Sequence, residues 1–151
     1  MARRKSMQTD ACPVARSLDL VGDRWSLLLV RDAFDGIRRF GDFQRNLGMA
    51  RNILSDRLAA LVEAGVMAVQ PASDGTSYQE YVLTVKGEQL FPVVVALRQW
   101  GEQQLFAAGE PHSQLLERHT RQPLPLMLPR DAHGQVLNPC NTFVEKLQDN
   151  T

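Results

Sequence analysis

The chain is poor in the residues that build covalent frameworks and reactive centres. It has two cysteines, Cys12 and Cys140. That is too few for a disulfide scaffold and fits a reducing cytosol. Its three histidines, His112, His119 and His133, all fall in the last third of the sequence. With Cys140 they contain no CxxC pair, so neither a metal nor any other cofactor is expected. No HExxH, phosphate-cradling glycine loop or nucleophile elbow occurs, and no enzyme activity is expected. No apolar run approaches the roughly 18 residues of a membrane span. The opening MARRKSMQTDACP carries charge without the hydrophobic stretch of a secretory leader. A cytoplasmic protein that avoids membranes is the expectation. Positive charge is also missing locally: from Leu58 to Val85 there is no Lys or Arg.

What is present is an ordinary apolar fraction, 44%, and 17 basic against 17 acidic residues. The balance is uneven along the chain. Residues 1–57 hold 11 Lys and Arg against 7 Asp and Glu, and residues 58–151 hold 6 against 10. The first part therefore carries a net +4 and the rest −4. A sequence pI near 6.8 is not that of a general polyanion binder, so any affinity for nucleic acid must come from a local patch.

That patch centres on residues 38–65, which read as two helices joined by a tight turn. Phe40, Phe43 and Leu47 fall on one helical stripe, Gly48 supplies the turn, and Leu54, Leu58, Leu61 and Val62 make a second stripe that Gly65 closes. The opposite face of the second helix carries Asn52, Ser55, Asp56 and Ala59, with Arg51 and Arg57 on its flanks. A helix, a glycine turn and a second helix with small polar and basic residues near its start suit the major groove of DNA. Asp56 is out of place there. It would repel phosphates unless it accepts a hydrogen bond from a cytosine amino group.

The flanks extend the pattern. Residues 1–11, with Arg3, Arg4 and Lys5, read as a flexible arm. Cys12-Pro13 opens a helix whose stripe is Val14, Leu18 and Val21 and which Gly22 ends. From Asp23 to Phe34 the sequence is apolar nearly all round, the signature of a helix buried on several sides. After Gly65, Val66–Gln70 and Tyr78–Leu83 predict a hairpin around Asp74-Gly75. Thr84 then caps a long helix expected from about Val85 to Ala108. Its apolar surface at Phe91, Val95 and Trp100 exceeds what one small domain can cover and reads as a subunit interface. The tail, 109–151, is too small for a core of its own. Leu124–Leu128 and Gln135–Leu137 are candidate strands within it, a degenerate β-ribbon. The expected fold is mainly α with a small β-hairpin (α+β): a winged helix-turn-helix over residues 12–108 with a short β-containing extension.

In this order and spacing, several short motifs are similar to the HxlR-type winged helix-turn-helix regulators of bacterial transcription. They are Cys12-Pro13-Val14; Gly22-Asp23-Arg24-Trp25; Gly36 with Arg39-Phe40; Asp42-Phe43; Leu54 with Arg57-Leu58; Leu61 and Gly65; Glu80-Tyr81-Val82-Leu83-Thr84; and Gly87 with Trp100. The resemblance covers about Cys12 to Trp100. It implies a homodimeric repressor or activator bound to double-stranded DNA, with the second helix of the pair in the major groove and the hairpin over the neighbouring backbone. Dimerisation would use the first helix, at Val14 and Leu18, and the long helix. A wing without basic residues departs from the family's habit and should add little counterion-release affinity.

Arg51, Asn52 and Ser55 are the candidate groove contacts, and Arg39, Arg45 and Arg57 the candidate phosphate contacts, with a buttressing role open for Arg57. Two alternatives stand beside the expectation of a repressor. Cys12, just before a helix N-terminus, suits a redox switch, and the DNA face could be vestigial in a protein-interaction module. A small-molecule effector is left open, because nothing in the sequence identifies one.

Overall fold

The computed structural model describes residues 5–148. Arg3 and Arg4 of the expected arm lie outside them. The chain divides into two compact units, the first running to Val94 and the second from Val95 on.

In the first unit, α1 (Pro13–Val21) begins with proline, whose missing N–H has no intrahelical partner at that position. Ahead of it, the Ser6 hydroxyl donates to Asp19 at 3.3 Å. The central helix α2 starts at Ser26 rather than Asp23, and runs to Phe34. Asp23 precedes it as a cap: its carboxylate accepts from the Trp25 and Ser26 amides at 2.9 and 3.0 Å and from the Ser26 hydroxyl. Burial opposes ionisation of Asp23, but the bonds from Ser26, the Trp25 amide and nearby Arg57 outweigh it and hold the carboxyl below its ordinary range.

Leu29 and Val30 of α2 are fully buried against Phe43, Met49, Leu54, Leu58, Leu61, Val66 and Met67. The expected all-apolar character of α2 needs correction. Asp32 is 0% exposed. Its carboxylate accepts from Arg31 at 2.8 Å and from the Asn46 amide at 2.8 Å. A buried charge is tolerated only with such partners, and here they tie α2 to the next helix.

That helix, α3 (Phe40–Leu47), and α4 (Arg51–Glu63) form the predicted pair. Gly48 sits at φ 63° and Gly65 at φ 75°, conformations that side chains with a Cβ adopt at a cost. The wing follows. Strand β1 (Met67–Pro71) pairs antiparallel with β2 (Gln79–Leu83), Met67 opposite Leu83 and Pro71 opposite Gln79. The chain just before α3 joins this ribbon, since the Tyr81 amide donates to the Arg38 carbonyl at 2.7 Å. Three core helices and a hairpin in this order make a winged helix-turn-helix.

Thr84 caps a helix as expected, its Oγ1 accepting from the Gly87 amide at 3.2 Å. The helix it caps is short, α5 (Val85–Glu88), and a second, α6, runs Phe91–Gln104. The single helix expected to Ala108 is broken because Pro92 has no N–H for the Glu88 carbonyl and its ring crowds that position. Phe91 meets Phe34 edge to face, ring centroids 5.2 Å apart.

In the second unit the remainder of α6 meets the tail. Gln99 holds it from both ends of its amide, donating to the Pro125 carbonyl at 3.0 Å and accepting from the Met127 amide at 2.8 Å. Arg98 donates to Ser113. The expected strands do not form. Two isolated bridges, Leu116 with Pro123 and Arg130 with Val136, and a 3-10 turn at Pro139–Asn141 stand in their place. Pro123, Pro125 and Pro129 remove the amides a ladder would need. The sequence pattern places Val95 at a subunit interface, yet it is only 2% exposed. It lines a recess beside Leu115 and Leu124, so its own chain covers it.

Candidate nucleic-acid interface

The apolar stripe of α4 goes into the core: Leu54, Leu58 and Leu61 are fully buried. Helical geometry then fixes what faces outward. Arg51, Asn52, Ser55, Asp56 and Ala59 are all exposed. The outward face was legible in the sequence, because a 3.6-residue period leaves one choice once the buried stripe is known.

Between the N-terminal ends of α3 and α4 and the wing lies an open recess of about 590 Å³. Arg39, Arg45 and Arg51 stand around it together with Tyr78. Arg51 lies over the Phe40 ring, 5.4 Å from its centroid, and Arg39 over the Tyr78 ring at 5.2 Å. Such stacking holds a guanidinium in place while leaving its edge free to donate.

Apart from Arg51, these arginines are paired with carboxylates of the same chain. Arg39 pairs with Asp74 on the wing, and Arg45 pairs with Asp42 one turn away. Arg57 reaches Asp23 at 3.6 Å, which places it against the cap of α2 and gives it the buttressing position left open above. Arg38 pairs with Glu80 at 3.4 Å. The missing basic residues of the wing are partly made good by folding, since Arg38 and Arg39 come to it from the segment before α3.

The acids of the wing are held ionised. Glu80 is buried, 4% exposed. The Ser73 amide at 3.2 Å, the Ser73 hydroxyl at 3.0 Å, Gln70 and Arg38 satisfy it and hold its carboxyl below the usual range, against the cost of burial. The Thr76 amide, 3.0 Å from Asp74 Oδ1, is the main cause of the same downward shift in Asp74, with the Thr76 hydroxyl and Arg39 adding to it. Sequence reasoning missed Asp74, Glu80 and the exposed Tyr78. The Asp42–Arg45 pair was legible as an i, i+3 spacing. Arg39 and Asp74 are 35 residues apart, and no local signal joins them.

Other candidate residues lie elsewhere. Cys12 and Cys140 are free and exposed. Val14 on α1 is 64% exposed and Trp100 on α6 is 59% exposed, with Leu18 and Leu97 also open. Among the described residues no three His, Cys, Asp or Glu side chains gather as a metal ion would require. Among them, too, no helix is long and apolar enough to cross a membrane.

Comparison with known proteins agrees with this geometry. The HxlR-like helix-turn-helix family matches residues 20–108. An HTH-type transcriptional regulator of Mycobacterium tuberculosis, Rv3095, is 50% identical over 92 residues, which is 61% of this chain and 58% of that protein. The match therefore spans less than two thirds of that relative. The crystal structure of PA1607, a proposed transcription factor, superposes with a TM-score of 0.89 at 51% identity, over 93% of this chain and 98% of that one. This likeness takes in much of the tail. The reduced form of the redox regulator HypR aligns with a TM-score of 0.57 at 29% identity, over 62% of this chain and 94% of that one. With a winged helix built on these residues and a family match over more than half its length, the chain belongs to the HxlR-like helix-turn-helix family.

Proposed function

We propose that the protein is a sequence-specific DNA-binding regulator of transcription, not an enzyme, which works as a homodimeric repressor in the cytoplasm with α4 in the major groove. One observation carries this reading: α4 buries Leu54, Leu58 and Leu61 completely and presents Arg51, Asn52 and Ser55 beside a wing. Asn52 offers an amide that pairs bidentately with adenine, and Arg51 a fork that suits guanine. Arg39 and Arg45 line the recess beside it, where duplex backbone would pass. The exposed apolar side chains Val14 and Leu18 on α1, and Leu97 and Trp100 on α6, support self-association. Two copies would then read half-sites about 34 Å apart.

The test works without a known operator. A duplex selected in vitro by the wild-type protein serves as the specific probe and a random-sequence duplex as the other. Asn52→Ala should cost on the order of 1–3 kcal/mol on the selected duplex and little on the random one. Arg45→Ala should weaken both alike. Equal losses on both probes for Asn52→Ala would remove α4 from the groove.

A second reading rests on Cys12, which is exposed at the start of α1, as a thiol switch on DNA binding. The likeness of the fold to the redox regulator HypR supports this reading.

A further inference from the structure

Of the four arginines flanking the proposed DNA face, three carry a carboxylate of the same chain: Arg39 with Asp74, Arg45 with Asp42, and Arg57 with Asp23. The first two pairs are the ones that matter for DNA, because their arginines, and Asp42, line the recess between the helix pair and the wing. Asp74 is not a passive neighbour. The turn at the tip of the wing fixes its carboxylate through the Thr76 amide, at 3.0 Å, so the charge is set in place before any partner arrives. Arg39 is fixed in turn by the Tyr78 ring.

We propose that Asp74 and Asp42 are built-in competitors of DNA phosphate: they hold Arg39 and Arg45 in the free protein and are displaced when phosphates seat on the correct site. This rests on the reading of α4 as the groove-binding helix. The physical basis is competition. An exposed Arg–carboxylate pair is worth little, a factor of about two to five in an equilibrium. On random DNA the protein has no fixed register, so a phosphate meets a given guanidinium only part of the time and the carboxylate prevails. On the correct site, base contacts from α4 fix the register. Each phosphate then sits within reach, and the arginine exchanges one anion for the other. Each exchange gives up the ion pair, so the two carboxylates lower affinity most where the phosphate contact is fully made.

The test compares wild type, Asp74→Asn, Asp42→Asn, Arg39→Ala and Arg39→Ala/Asp74→Asn by fluorescence anisotropy. The probes are a random-sequence duplex and a duplex selected by the wild type, across a salt series. Asn at position 74 can still accept from the Thr76 amide, and each variant's melting curve checks its fold. Asp74→Asn should bind the selected duplex about two to five times more tightly per protomer. On the random duplex, where the released arginine is free to meet phosphate, its log–log salt slope should steepen by up to about 0.9 for each arginine released. Affinity for the random duplex should change less, so the ratio between the probes rises. Asp42→Asn should behave likewise. In the Arg39→Ala background, Asp74→Asn should gain nothing. If the wild type prefers its selected duplex but Asp74→Asn binds that duplex no more tightly, or if the gain survives without Arg39, the proposal fails and the reading of α4 stands. If selection enriches no sequence and neither protein binds either duplex at low salt, both fail together.

Discussion

Replacing Gly87 by alanine pits two ordinary effects against each other. Gly87 lies in the four-residue helix α5 and is buried. Alanine in a helix is favoured over glycine by about 1 kcal/mol, so propensity alone predicts a more stable protein. Packing predicts the reverse. A Cβ at Gly87 would sit far inside contact distance of the Val66 carbonyl oxygen, 3.2 Å from its carbon and 3.0 Å from Leu83 Cδ2. Val66 cannot retreat easily, because its carbonyl already accepts from the Thr84 amide at 3.1 Å and from Thr84 Oγ1 at 3.2 Å. Overpacking of this kind costs about 1–3 kcal/mol, and so short a helix realises only part of the propensity gain. The net should be a loss of about 1–2 kcal/mol, or several degrees in Tm for a chain this size. Gly101 in α6 is the control. A Cβ there would meet only Leu105 Cδ1, at 4.0 Å. Gly101→Ala should therefore stabilise by up to about 1 kcal/mol. Urea unfolding of both variants gives the two signs. A Gly87→Ala protein as stable as wild type would refute the close approach of α5 to Val66.

Stability should fall in acid partly through Asp23. Its carboxyl is held low in the native state, so its contribution is present above the unfolded value of about 4 and disappears as pH drops through the native one. Asp23→Asn should lower stability at neutral pH and flatten the acid limb, as read from urea midpoints between about pH 2 and 7. Leu18→Glu should dissociate the proposed dimer, and sedimentation showing a wild-type monomer at micromolar concentration would dispose of that interface. Diamide should alter DNA affinity in the wild type and in Cys140→Ser but not in Cys12→Ser. An unresponsive wild type ends the thiol reading.

What is legible in the sequence follows from range. Leu54, Leu58 and Leu61 repeat at helical spacing, and their burial follows from that repeat. Turn residues and β-branched runs within a dozen positions announce the wing. The failures are of another kind. Asp32 looks like a stray acid in an apolar helix because its partner Asn46 lies 14 residues on. Glu80 gives no sign that it will gather Ser73, Gln70 and Arg38, since alternation along a strand cannot distinguish a buried acid with partners from a solvated one. Pro92 is the one local signal for the break between α5 and α6, and the apolar stripe running past it on both sides hides it. In the tail, apolar residues suggest strands, but the prolines among them outweigh that preference. The outward residues of α4 can be named, but not Asp74 and Asp23 as the partners of Arg39 and Arg57, because those arrive from distant parts of the chain.

The backbone bond from the Tyr81 amide to the Arg38 carbonyl has a consequence for measurement. It joins the second strand of the hairpin to the residue pair that leads into α3, so it exists only while hairpin and helix pair are docked. The exchange rate of that one amide with solvent deuterium is therefore a clock for their separation. If it exchanges with the slowest amides of α2, the two parts open only when the whole unit unfolds, and DNA meets a reader of fixed width. If it exchanges faster, the width itself is adjustable, and a range of half-site geometries comes within reach of a single sequence.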